Sequence, residues 1–586
     1  MTANYKFGRF ELRPATRQLL VDDRPAPLGD RAFDVLLALI ERRERLVTKE
    51  ELLDLAWPGL VVEENNLQVQ VSALRKILGN GAIATVARRG YRFTLQVGAE
   101  TLSHPTPPLE TLPVADVTDN PSIAVLPFVN TSDDTANEYF ADGLAEELLN
   151  VLSKIRGLRV ASRTSAFSFK GAKVDIPTMA QKLNVATILE GSVRKAGNRV
   201  RISAQLIHVA TDSYLWSATY DRELEDIFAV QDDIARSVVT ELRAALLEER
   251  PDAAATAGVE AEIQVAARGR GDNVEAYRLY LLANFHHDRF TAEDSAIAIE
   301  AYRAALKLDP SYALAWAGLA IAYARAAGSG WPGTALEEGF RLARKAAEKA
   351  MRLAPDISEA HEAMGVIRLT SDFDWKGAEA SFARALELSP GNVRVIRDAV
   401  DLLRALGRSD EAIALMRQAV ELDPLSWSVY RELANCYLGA GRFDEAEAAI
   451  RKSLELSPDA RMLHFRLSVI CLCQGRLDEA LKAATRVVHD GFRLLALAMV
   501  YHAQGRHVDS DAALEELIET MADTGAFQIA EAFAYRGDRD QAFAWLERAH
   551  AQRDAGMHML REAQSMRGLH ADPRWHAFLE KVGLAE

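Results

Sequence analysis

A proline recurs after an apolar helical stretch at Pro310, Pro355, Pro390, Pro424 and Pro458, in the contexts LKLDP, MRLAP, LELSP, VELDP and LELSP. The spacings are 45, 35, 34 and 34 residues. Between these prolines lie paired helical patterns joined by short glycine turns: Gly407-Arg408-Ser409-Asp410-Glu411-Ala412, Gly441-Arg442-Phe443-Asp444-Glu445-Ala446, Gly475-Arg476-Leu477-Asp478-Glu479-Ala480 and Gly537-Asp538-Arg539-Asp540-Gln541-Ala542. A unit of two helices cannot bury its apolar face alone, so neighbours must stack and the chain must form a solenoid. The 45-residue unit carries an insertion at Gly328-Ser329-Gly330-Trp331-Pro332-Gly333, expected to be a surface loop. About eight units are expected between Val274 and Met557, with Ala563–Glu586 as a cap on the open apolar end.

The 586 residues exceed what one core supports. Through Gly98 there are 15 Lys and Arg against 12 Asp and Glu, while the whole chain carries −15, so a slightly basic head precedes a strongly acidic body. Cys436, Cys471 and Cys473 have no metal-ligand or disulfide-framework spacing, and the pattern puts them in helices as small core residues in a reducing compartment. No signal segment and no apolar run near 18 residues is found, so the expected place is the cytoplasm, without a membrane.

The head is dominated by EENNLQVQVSALRKILGNGAIATVARRGYRF, Glu63–Phe93. Leu67, Val71, Leu74 and Leu78 mark a buried helical stripe, with Asn65 or Asn66 to cap its start and Gly79 to end it. The opposite face carries Val69, Ser72, Ala73 and Lys76; Gln68 and Arg75 flank it on one side and Gln70 on the other. Two short strands follow around Arg88-Arg89-Gly90, with Gly90 free to take positive φ at the turn. A helix able to enter the major groove, followed by a basic hairpin tip, is the layout of a winged helix.

These residues resemble the output domain of OmpR-type transcription factors, most of all the CadC/ToxR branch, in the asparagine-leucine start, the LRK-x-LG end and the TV-x-x-RGYRF wing. The resemblance covers about the first hundred residues. It implies that Asn66–Leu78 is the recognition helix and Arg88–Tyr91 the wing, and that double-stranded DNA is the partner. The DNA-contacting set expected is Asn66, Gln68, Val69, Gln70, Ser72, Arg75, Lys76, Arg88, Arg89 and Tyr91. Many relatives carry arginines at the positions of Ser72 and Ala73, which shifts base readout here toward Gln68, Ser72 and Lys76, with methyl contacts from Val69 or Ala73. The resemblance also suggests that the Pro58–Glu64 loop touches RNA polymerase. Familiar members of that branch carry a membrane span after the head; here Glu100–Asn120 stands in its place.

Before the helix, Tyr5–Leu12 reads as a strand, Gln18–Asp22 as a second and Arg24–Pro27 as a turn with a short third. A helix is expected from Asp30 to about Arg43, and Thr48-Lys49-Glu50-Glu51 is a capping box for another ending near Trp57-Pro58. Pro105, Pro107, Pro108, Pro113 and Pro121 make residues 99–121 a stiff linker.

Residues 122–258 read as an α+β sheet domain. Strands are expected at Ile123–Phe128, Leu158–Ala161, Ala186–Val193, Arg199–Val209 and Tyr214–Tyr220, with helices at Tyr139–Ile155, from Thr178 and at Ile227–Leu247. IAVLPFVN, FADGLAEELLNVLSKI, GLRVASRTSAF, ILEGSVRK and IFAVQDDIA resemble the TolB-amino-terminal-like, FlgO-like domain, which implies a fold rather than a reaction. Arg159–Ser165 is polar and reads either as a solvated strand end or as the lining of a ligand site. The repeats, exemplified by Leu433–Ala446, resemble tetratricopeptide repeats.

The expected architecture is thus multidomain: a winged helix-turn-helix at 1–98, the linker at 99–121, the α+β domain at 122–258 and an all-α tetratricopeptide solenoid at 259–586. The function expected is a soluble transcriptional regulator whose body senses a signal, recruits a protein or peptide in the repeat groove, or pairs two heads as a homodimer. A scaffold with degenerate DNA contacts is the alternative. An enzyme built on the central domain lacks a nucleophile–base pair, phosphate loop or metal cluster in the sequence, and no cofactor is expected.

Overall fold

The computed structural model describes residues 4–7, 10–13, 18–21, 24–26, 28, 30–42, 47–56, 64–78, 82–86, 90–94, 98–100, 121–132, 137–155, 157–247, 253–287, 289, 291–328, 336–458, 460 and 462–585, excluding the side chains of a few of them, such as Gln68 and Ala73. Two compact units divide the chain, residues 1–106 and 107–586.

In the first unit, β1 (Asn4–Phe7), β2 (Phe10–Arg13), β3 (Gln18–Val21) and β4 (Arg24–Pro25) precede α1 (Asp30–Glu41). Then come β5 (Val47–Thr48), α2 (Lys49–Ala56), α3 (Glu64–Leu78), the wing strands β6 (Ile83–Val86) and β7 (Gly90–Phe93), and β8 (Gly98–Glu100). The strands form two sheets, β4-β3-β2-β1-β8 and β5-β7-β6. The single strand expected over Tyr5–Leu12 is instead a hairpin, with Phe7 opposite Phe10. Both phenylalanines can then face the core, and the Phe7 ring meets Phe93 of the wing edge-on at 5.3 Å between centroids. Ala99 pairs with Tyr5, so the head runs through Glu100, past the boundary expected at 98. At the start of α2, Thr48 Oγ1 accepts from the Glu51 amide at 3.2 Å, as the capping box requires, and the Glu51 carboxylate accepts from Arg42 Nε at 3.1 Å. The Pro58–Glu64 loop except Glu64, the Arg88-Arg89 tip, and most of the 99–121 linker lie outside the described residues.

The second unit opens with β9 (Ser122–Val125), β10 (Val129–Asn130), α4 (Glu138–Ser153), β11 (Arg159–Val160), α5 (Arg163–Phe167) and α6 (Ile176–Leu183). The long strands β12 (Thr187–Ala196), β13 (Arg199–His208) and β14 (Ser213–Glu223) and then α7 (Ile227–Leu247) complete a mixed sheet of order β11-β9-β12-β13-β14, with β10 beside β12. β9 pairs in parallel with β11 and β12, as crossovers through α4 and α6 dictate, while β12 to β14 form an antiparallel meander.

Next, α8 (Ala253–Ala266) leads into eight helix pairs. These are α9 (Val274–His287) with α10 (Ala292–Leu308), α11 (Ala313–Gly328) with α12 (Leu336–Leu353), α13 (Ser358–Ile367) with α14 (Trp375–Leu388), and α15 (Val393–Ala405) with α16 (Ser409–Leu422). They continue as α17 (Trp427–Gly439) with α18 (Phe443–Leu456), α19 (Leu463–Cys473) with α20 (Leu477–Ala484), α21 (Asp490–Ala503) with α22 (His507–Met521), and α23 (Ala526–Arg536) with α24 (Arg539–Ala551). Gly407, Gly441, Gly475, Gly505 and Gly537 each hold φ between 74° and 82° in the turn within a pair, the left-handed conformation that ends the first helix.

One sequence expectation fails in this unit and another is extended. The boundary expected between 258 and 259 falls inside α8, and Val259, Ile263 and Ala266 share one continuous core with Leu148 of α4, Ile234 of α7 and Tyr277 of α9. The carboxyl-terminal segment does cover the last pair, packing with Phe527, Phe543 and Leu546, but it also reaches further back than a terminal cap. Residues 555–584 turn back as two short 3-10 turns and α25 (Pro573–Lys581), and pack with Trp375, Phe382 and Ala399, five and four pairs earlier. Trp375 Nε1 donates to the Val582 carbonyl at 2.8 Å, and Gln564 Nε2 to the Leu438 carbonyl at 2.7 Å.

Candidate nucleic-acid interface

Helix α3 is fixed by its apolar stripe. Leu67, Val71, Leu74 and Leu78 are buried against Phe33, Leu36, Ile40 and Leu52; burying side chains of this size stabilises by roughly 1.5–3 kcal/mol each. With that side locked, the 3.6-residue period turns Asn66, Val69, Ser72 and Lys76 outward, and all four are exposed. Val69 is 56% exposed, an apolar side chain held in solvent on a helix that had core positions to offer.

Arg75 is turned away from this stripe. Its Nε and Nη2 donate to the Ile83 carbonyl at 3.1 and 2.6 Å, strapping the helix to the first wing strand. Gln70 is half-buried on the other flank. Tyr91 is 5% exposed and packs in the core, so its ring supports the wing from behind and does not join the outward face expected of it. Arg92, which the sequence reading passed over, is exposed between buried Tyr91 and Phe93. The alternation of Gly90–Phe93 was the signal for it. The side chains of Gln68 and Ala73, and all of Arg88 and Arg89, lie outside the described residues.

Gly90 sits within β7 rather than in the turn. A Cβ there would lie 2.0 Å from the Val47 carbonyl oxygen, so only glycine lets β5 and β7 pair at this point. The result is a helix with a mixed polar and methyl-bearing outer face, braced by a hairpin that carries a basic side chain outward.

The other candidate stretch, Arg159–Ser165, is neither a solvated strand end nor a ligand lining. Ser162 caps the start of α5, and its amide donates to the Leu422 carbonyl at 2.8 Å. Ser165 donates from N and Oγ to Asp423 Oδ1 at 3.0 and 2.5 Å, and the Leu425 amide donates to Ser165 Oγ at 2.9 Å. The polar residues dock the central domain onto the turn between the fourth and fifth pairs. Among the described residues, no group of three or more His, Cys, Asp or Glu is arranged to hold a metal ion, and no helix is long and apolar enough to cross a membrane.

Comparison with known proteins assigns the parts. Residues 23–93 match the family "Transcriptional regulatory protein, C terminal". The head is an OmpR/PhoB-type winged helix. Behind this winged helix, residues 118–237 match the HilA/YgeH-like transcriptional regulator second domain. Residues 287–329, 397–461 and 437–493 match tetratricopeptide repeats. The phosphate regulon transcriptional regulatory protein PhoB of Pseudomonas aeruginosa is 34% identical over 96 residues, 16% of this chain and 42% of that protein. A putative adenylate cyclase 3 of Rhizobium meliloti is 44% identical over 201 residues, 34% of this chain and 32% of that protein. The matches thus span less than half the length of either relative. The solved DNA-binding domain of Escherichia coli CadC is 25% identical, with 17% of this chain and 98% of that domain covered and a TM-score of 0.16.

Proposed function

We propose that the chain is a DNA-binding transcriptional regulator whose winged helix lays α3 in the major groove of promoter DNA. The observation that carries this reading is the outward stripe Asn66, Val69, Ser72 and Lys76, exposed while the opposite stripe is buried. Lys76 and Ser72, with Gln68, supply hydrogen bonds to base edges; Val69 and Ala73 offer contacts to thymine methyls. Arg88, Arg89 and Arg92 hold phosphates from the wing, and Arg75 positions the wing through Ile83. Tyr91 acts by packing.

The test is binding of the full chain to duplex DNA across a salt series. Counterion release makes affinity fall steeply with salt, by a slope of about −0.9 per phosphate neutralised. Binding that ignores salt, or none on any promoter pool, would favour the scaffold reading.

In this reading the body is regulatory, the cytoplasm is the site of action, and no cofactor is used. Protein partners bind the repeats, pairing of two bodies brings two heads to a two-half-site operator, and the 58–64 loop meets RNA polymerase. The likeness to a putative adenylate cyclase covers a third of that protein and brings no enzymatic role into this reading.

A further inference from the structure

Between the late repeats and the returning carboxyl-terminal segment lies a cavity of about 70 Å³. Roughly 10–15 Å³ suffices to admit one water, so this space has room for a small molecule. Its floor is α17, α19 and α23; its cover is Met559 to Ser565.

Two opposite charges face this space without meeting. Arg466 of α19 donates to Met559 Sδ at 3.5 Å and lies over the Phe465 ring, and no carboxylate among the described residues pairs with it. Burial pushes its guanidinium down to about 10. Glu531 of α23 accepts, among the described residues, only from Ser565 Oγ, at 3.0 Å, and burial raises its carboxyl to about 7. Neighbouring acids are already engaged: Glu562 with Arg404, and Glu432 with Arg404, Arg431 and Asn435. Asn435 Oδ1 and Glu562 Oε1 are buried acceptors with no hydrogen-bond partner among the described residues.

Half-buried charges without an ionic partner are costly, so a fold that keeps a cation and an acid on one small cavity leaves a demand that a ligand can meet. An anion alone would answer Arg466 and leave the acid and the two orphan acceptors unmet. A cation alone would do the reverse. Phe465, Leu472 and Met499 supply an apolar part of the wall.

We propose that this cavity binds a free α-amino acid with a small apolar side chain. Its carboxylate pairs with Arg466, and its ammonium donates to Glu531 and to Asn435 Oδ1. Because residues 559–565 form the cover, the occupied site ties the carboxyl-terminal segment to the array. This assignment is independent of DNA binding.

The experiment is calorimetric titration of the full chain at pH 8 with each of the twenty L-amino acids, and with propionate and propylamine as single-charge probes. Saturable one-to-one binding of a small apolar amino acid is expected, with both single-charge probes weaker by about tenfold or more. Glu531→Gln keeps the side-chain shape and should weaken the amino acid by about tenfold or more. Arg466→Gln, which removes a half-buried charge with no ionic partner among the described residues, should do the same with the helical circular dichroism unchanged. Binding by none of the twenty, propionate binding as tightly as the amino acid, or unchanged affinity in Glu531→Gln would each overturn the proposal.

Discussion

Arg404 Nε donates to Glu562 at 2.6 Å across 158 positions of chain, and both side chains are about 95% buried. The pair fastens the returning carboxyl-terminal segment to the fourth helix pair. Asp401 and Glu432 approach the same guanidinium at 3.2 and 3.5 Å. Removing one partner of a buried pair typically destabilises by about 3–5 kcal/mol, and the two further acids bring this toward the low end. Glu562→Ala is therefore expected to cost on the order of 3 kcal/mol and to release residues 555–584, seen as faster amide exchange confined to that segment and Trp375. Unchanged exchange there would show that apolar packing alone holds it.

The contact of Ser165 with Asp423 fastens the central domain to the array. Asp423→Ala leaves the Ser165 amide and hydroxyl without their acceptor and should cost about 1–3 kcal/mol. Urea unfolding of the full chain measures it. A larger loss follows from cutting at 258, which divides α8 and strips Tyr277 from the core it shares with α4. The fragment 107–258 should fail to give a cooperative transition, whereas 1–106, with its own core, should melt cooperatively.

Burial holds the Glu531 carboxyl near 7, against the opposing influence of Arg466 and Ser565. Between its ordinary value of 4.5 and about 7, the folded chain keeps a proton that the unfolded chain releases. Its contribution to stability is full below 4.5, declines as pH rises to about 7 and is flat above. Asp398, pushed to about 7 by burial and by Glu362, adds a slope over the same window. The stability lost between pH 5 and 8 should be smaller in Glu531→Gln than in the parent by on the order of 1–2 kcal/mol. Identical pH profiles would contradict this.

Gly90→Ala should unfold the wing, because its Cβ would stand 2.0 Å from the Val47 carbonyl. The expected cost is about 3 kcal/mol or more, read as a lowered melting transition of the head with the transition of the body unchanged.

What was legible in the sequence was what repeats locally. The i, i+4, i+7 spacing of Leu67, Val71 and Leu74 set the inner and outer faces of α3, and the 34-residue period set the array. Contacts between distant segments carry no such period. Ser165 meets Asp423 across 258 positions and Trp375 meets Val582 across 207, so α5 read as a solvated strand end or a ligand lining, and the cap gave no sign of its return to Trp375. Tyr91 was misplaced for a different reason: the motif placed it in the wing, but strand alternation turns it inward. Arg75 looked like a flanking DNA contact because sequence does not show a backbone carbonyl within its reach.

The most direct measurement is selection of bound duplexes from a random pool by the full chain at about 50 mM salt, where phosphate contacts are strong. The parent should enrich one consensus. Lys76→Ala should change that consensus at a defined position, while Arg92→Ala should leave the consensus intact and weaken all sites alike. No enriched sequence, or a consensus and affinity untouched by Lys76→Ala, would contradict the assignment of α3 as the element that reads DNA.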